Sequence, residues 1–144
     1  MSSVTHTPWI GERYAEGLNG KRTALIGYSH WLGEEWDDGP DLTRKVVAEH
    51  LSGRNFSFFA RITNAFRDAG LAGDSSDLWQ RVAFFNFIPS IVGGPELRYA
   101  VGTKQQVAAG RQRFLAFLDK HAPDKVIVFT TKGWRAFPDT IESA

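Results

Sequence analysis

The chain has 144 residues, 42% of them hydrophobic and 23% charged, with a formal net charge of +1 and no cysteine. That composition is ordinary for a globular domain and predicts a single domain spanning residues 1–144. The lack of cysteine excludes disulfides, thiolate catalysis, cysteine-ligated zinc and iron–sulfur clusters, and leaves the cytoplasm as the default compartment. No apolar run approaches the roughly 18 residues of a membrane span, and Met1 to His6 has no secretory pattern, so no membrane partner is expected. Charge is uneven: Met1 to Asp41 carries seven acids against three bases, and Arg98 to Arg135 eight bases against two acids. That asymmetry suits a polyanion near the last helix and strand, although a solvated basic helix face reads the same way.

Residues up to about Gly20 read as an irregular arm, with Trp9, Ile10 and Tyr14 against the body. The first strand is expected over Thr23 to Tyr28, and the acidic stretch from Gly33 to Pro40 as a loop rich in turn residues. Asp41 or Thr43 can cap a helix reaching about Leu51, with Gly53 as its stop. A second helix is predicted from Ser57 to Ala69, its stripe Phe59, Ile62 and Phe66 spaced for one buried face and Gly70 ending it. After a short helical turn over Asp77 to Gln80 comes a second strand, Val82 to Phe87, apolar on both faces. Thr103 and Gln106 have capping-box spacing at the head of the longest helix, whose buried face reads as Val107, Phe114, Leu115 and Leu118, and Pro123 ends it. The third strand is Lys125 to Phe129, and a further helix starts near Gly133.

Strands alternating with helices imply an α/β class: a short parallel sheet between helical layers, a three-layer α/β/α sandwich. Three strands are few for such a sheet. The expectation is either a reduced sheet or a missing last strand–helix unit after Ala144.

In such sheets ligands bind where strands end. The first strand ends at Gly27-Tyr28-Ser29-His30-Trp31, delivering hydroxyl, imidazole and indole groups. Ser29 and His30 are neighbours and point apart in extended chain, which argues against a nucleophile–base pair. The loop has neither glycine fingerprint of nucleotide-binding sites, so no nucleotide cofactor is expected. His6, His30, His50 and His121 are scattered, so no metal site is expected either. His50 and His121 lie near helix ends and read as solvated or capping. Asn86, inside Phe84-Phe85-Asn86-Phe87, must find partners, since an unsatisfied buried amide costs about 1–3 kcal/mol. Two readings stay open: it bonds its own loop backbone, or it reads the edge of a planar ligand.

These segments in order, Gly27 to Trp31, Val82 to Ile88 and Val126 to Trp134, resemble the uracil-DNA glycosylase-like superfamily, nearest to the branch whose first motif reads Gly-Glu-Ser-His-Tyr. The likeness runs from about Thr23 to Phe137. It implies the three-layer fold, a pocket for a base extruded from single- or double-stranded DNA or for a free nucleobase, and excision of uracil or a damaged base. That reaction is the N-glycosyl hydrolysis of DNA repair. By position, Ser29 and His30 would be catalytic, with Gly27, Tyr28, Trp31, Asn86, Phe87, Lys132, Gly133 and Trp134 binding substrate. Two departures lower the expected activity. Ser29 stands where a carboxylate or asparagine orients the water in active members, and the family's final histidine motif has no counterpart here. The alternative is a binding module of the same fold without catalysis, recognising a nucleobase, nucleotide or protein.

Overall fold

The computed structural model describes residues 5–28, 39–54, 56–89 and 103–129, and has a mixed α/β architecture. Four strands form one sheet: β1 (Trp9–Ile10), β2 (Thr23–Gly27), β3 (Val82–Asn86) and β4 (Lys125–Val128), in the spatial order β1-β3-β2-β4. Between β2 and β3 run α1 (Leu42–Leu51), α2 (Ser57–Asp68) and α3 (Ser75–Gln80), and α4 (Lys104–His121) joins β3 to β4.

Every residue of β2 and β3 is buried, as expected of parallel strands covered on both faces. Their ladder pairs Thr23 with Val82 and Gly27 with Asn86, and β4 flanks β2 in parallel, Ile26 opposite Val128. The chain therefore steps from β2 to β3 in one direction and back past β2 to β4 in the other. Right-handed crossovers in opposite directions put their helices on opposite faces. The two cores agree. Ala24, Ile26, Ala83, Phe85 and Phe87 pack with Phe114 and Phe117 of α4. Leu25, Val82 and Phe84 pack with Val47, Phe59, Ile62, Phe66, Leu78 and Trp79 of α1 to α3.

The sheet departs from the expectation in its edge. β1 runs antiparallel to β3, Trp9 opposite Phe84, so the sheet is mixed and four-stranded rather than parallel and three-stranded. Two residues are too few for a strand periodicity, and the arm is fixed from outside: Gly11 N–H donates to Val82 O and the Trp9 indole to Trp79 O.

Helix ends follow local chemistry. Thr103 and Gln106 form the reciprocal capping box of α4. Gly70, at φ 75°, ends α2 with Leu71 N–H bonded to Phe66 O, a left-handed turn that glycine adopts without steric penalty. Asp41 stands at the N-cap of α1 without a side-chain bond. The buried face of α4 is rotated from the expected one: Phe117 is buried and Leu115 is 45% exposed. Gly110 explains the rotation. A Cβ there would strike the Phe87 backbone, so α4 lies against the strand at that point. Among the described residues no helix is long and apolar enough to cross a membrane.

Candidate functional site

The ends of β3, β2 and β4 lie side by side, and the parallel ladder continues past them. Phe87 N–H bonds to Gly27 O at 2.9 Å, Ile88 N–H to Tyr28 O at 2.8 Å, and Phe129 N–H to Ile26 O at 2.8 Å. This register brings Gly27 and Asn86 together.

Strand alternation puts the Asn86 side chain on the same face as Val82 and Phe84, toward α1 to α3. Gly27 opens the space it occupies. A Cβ on Gly27 would collide with the Asn86 carboxamide oxygen and sit 3.4 Å from Phe84 Cζ. Asn86 is only 7% exposed, yet among the described residues its carboxamide makes no hydrogen bond. The loop that follows Asn86, residues 90–102, lies outside the described residues. Phe58 of α2, 43% exposed, contacts Phe59, Phe84 and Phe129, with ring centroids 6.3 Å apart for the last two. A nearly buried amide without a hydrogen bond among the described residues thus lies on a glycine, beside a ring that leads to an exposed aromatic. Sequence reading missed Phe58, because an exposed position on an amphipathic helix carries no signal of its own.

The other two described candidates go the opposite way. Tyr28 and Phe87 pack into the α4-side core, Phe87 fully buried and Tyr28 9% exposed. Burial raises the Tyr28 hydroxyl above its ordinary value. Neither shares the surface on which the Asn86 carboxamide lies. Ser29, His30, Trp31, Lys132, Gly133 and Trp134 lie outside the described residues.

Behind the same strand end lies a cation that sequence reading also missed. Arg113 of α4 donates to the main-chain oxygens of Asn86 and His6, and its guanidinium carbon is 4.8 Å from the Phe85 ring centroid. His6 N–H in turn bonds to Pro89 O at 2.7 Å, so the N-terminal arm reaches the end of β3. Burial draws the Arg113 guanidinium down to about 10, which leaves it charged at neutral pH.

His50 is buried rather than solvated. Its Nδ1 accepts the Phe56 N–H at 3.1 Å, so the neutral ring carries its proton on Nε2, 3.2 Å from Ser75 Oγ. Burial lowers its pKa. It lines a cleft of about 330 Å³ with Thr63, Asn64, Arg67 and Ser75, between α1, α2 and α3. On the α4 side of the sheet the His121 carbonyl accepts from the Tyr14 hydroxyl at 3.1 Å, and burial pushes that hydroxyl up to about 12.

Comparison of the chain with protein-family models, with curated proteins and with solved structures found no match.

Proposed function

We propose that this chain is a uracil-DNA glycosylase-like protein that recognises a uracil-type base, extruded from DNA or free, through Asn86, and that its excision activity is weak or absent. The observation that carries the reading is the Asn86 carboxamide, 7% exposed and without a hydrogen bond among the described residues, over Gly27 of the first motif. A carboxamide with so little exposure and no partner among the described residues is uncommon in native proteins. A carboxamide offers one acceptor and two donors in a plane, which match an adjacent N–H and C=O on a pyrimidine edge. An extruded base read this way is also stacked by flat apolar side chains. Phe84 lies beside Gly27, and Phe58 packs against Phe84. The strand order also supports the reading, with the first motif on the central parallel strand and the asparagine on its neighbour.

In the excision reaction water replaces the base on the deoxyribose carbon, and the base leaves with the electrons of the N-glycosidic bond. Hydrogen bonds to the ring edge strengthen as that charge develops, so Asn86 would lower the barrier as well as bind. Orienting the water falls to the Ser29-His30 pair. Ser29 occupies the position where active relatives of this kind carry a carboxylate or asparagine, and a neutral imidazole is a weaker substitute. Retained recognition with little turnover follows.

Uracil-containing single-stranded DNA tests this directly. The expected result is binding that weakens steeply with salt, favours uracil over thymine, and yields little free base; Asn86→Ala should remove the uracil preference and leave the salt-dependent part. Absence of binding would end the reading. Robust base release, abolished by His30→Ala and Asn86→Ala, would overturn the claim of weak catalysis.

A further inference from the structure

Arg113 is a half-buried cation for which the recognition of a neutral ring has no use. Its Nε is buried and has no hydrogen-bond partner, and among the described residues it forms no ion pair. Among the described residues its terminal nitrogens bond to two main-chain oxygens, those of His6 and Asn86, and its guanidinium lies over the face of Phe85. Taking part of a guanidinium, its Nε included, out of water without a counter-charge is unfavourable, and two carbonyls and a ring offset only part of it. A methionine of similar length would fill the space without that cost. The charge therefore calls for a function at the place where it is held.

That place is the back of the recognition surface. Arg113 grips the main-chain oxygen of Asn86 from the α4 side, while the carboxamide of the same residue lies on the opposite face over Gly27. Only the β3 peptide and tightly packed side chains lie between, so the positive charge is screened far less than one on the surface. A neutral ring at Asn86 gains little from it. A ring carrying negative charge gains directly.

We propose that Arg113 is a positioning residue that fixes the end of β3 and gives the Asn86 surface a preference for planar heterocycles bearing negative charge. This inference rests on the reading of Asn86 as the group that meets the ring edge. It extends that reading by naming the charge state of the preferred ligand.

Three probes separate the two claims: uracil, orotate, and orotamide, which keeps the outline of orotate without its charge. Binding of each to the full chain is measured by calorimetry at low and at high salt. Orotate should bind roughly tenfold or more tighter than orotamide, and the ratio should survive high salt because packed protein, not ions, lies between the charge and the ring. Arg113→Met should bring the ratio near one while uracil affinity changes only a few-fold, and Arg113→Lys should restore part of it. A ratio near one in the wild-type protein overturns the inference without any variant, as does a ratio that collapses at high salt or persists in Arg113→Met. If uracil itself does not bind, the reading of Asn86 falls, and this inference falls with it. Binding of uracil without discrimination by charge removes only the present claim.

Discussion

The two faces of the sheet are built from the same strands, yet they end differently. On the α4 face the side chains stay large to the tip: Ile26 and Tyr28 on the first parallel strand, Phe85, Phe87 and Ile88 on the second, closed by Phe114 and Phe117. Gly110 lets α4 come into direct contact with that tip. On the α1 to α3 face the apolar series stops early. Leu25 is followed by Gly27, which has no side chain, and Phe84 by Asn86, whose amide is unpartnered among the described residues. One pair of strand ends thus carries large side chains on one side and a glycine and an amide on the other, and alternation of side chains makes the separation possible. Stability and binding should respond to different substitutions only one or two residues apart.

Breaking the closed face should produce the largest effect. Phe85 is fully buried, its ring 4.7 Å from that of Phe117 and beneath Arg113. Phe85→Ala should cost about 3–5 kcal/mol in urea unfolding, the range for deleting a buried aromatic. A paired glycine experiment sharpens the contrast. Gly110→Ala drives a methyl into the Phe87 backbone, which cannot move aside, and should cost about 1–3 kcal/mol. Gly27→Ala meets only the far end of Asn86, so its cost should be well under that of Gly110→Ala. It should nevertheless displace the carboxamide and weaken uracil binding markedly. Equal loss of stability in the two variants would erase the distinction between the faces.

The smallest expected effect is in the pH dependence. His50 is neutral when folded, and burial holds its pKa below the ordinary 6.5. In the unfolded chain it takes up a proton as the pH falls through 6.5, while the folded form still refuses it. Stability should therefore decline as the pH drops from 6.5 toward the native value, and be insensitive to this group above it. Protonated Nδ1 could no longer accept the Phe56 N–H. His50→Gln, followed by unfolding at several pH values, should flatten that part of the profile.

How much of this was legible in the sequence depends on how local the cause is. The capping box at Thr103 and the glycine stop at Gly70 are short-range patterns, and both occur where the residues indicate. β2 and β3 were legible because burial on both faces leaves them apolar apart from Thr23 at the start of β2 and Asn86 at the end of β3. β1 was not legible, since its two residues are ordered by partners about 70 positions away. The buried face of α4 was misjudged by one position, Leu115 for Phe117, because its rotation follows from contact between Gly110 and Phe87. Tyr28 and Phe87 share strand ends with Gly27 and Asn86, but alternation sends them into the opposite core. Arg113 is one of several basic residues on its helix, and its burial depends on carbonyls of β3 and of the N-terminal arm.

The central proposal is that the Asn86 amide, which makes no hydrogen bond among the described residues, is kept for a ligand. Equilibrium unfolding of Asn86→Leu beside the wild type, with and without uracil, tests it most directly. Without ligand the variant should be more stable than the wild type, by up to about 1–2 kcal/mol, since an unsatisfied amide is replaced by an apolar group. Uracil should stabilise only the wild type, as ligand linkage requires. A variant that is less stable than the wild type, or that gains as much from uracil, would contradict the account.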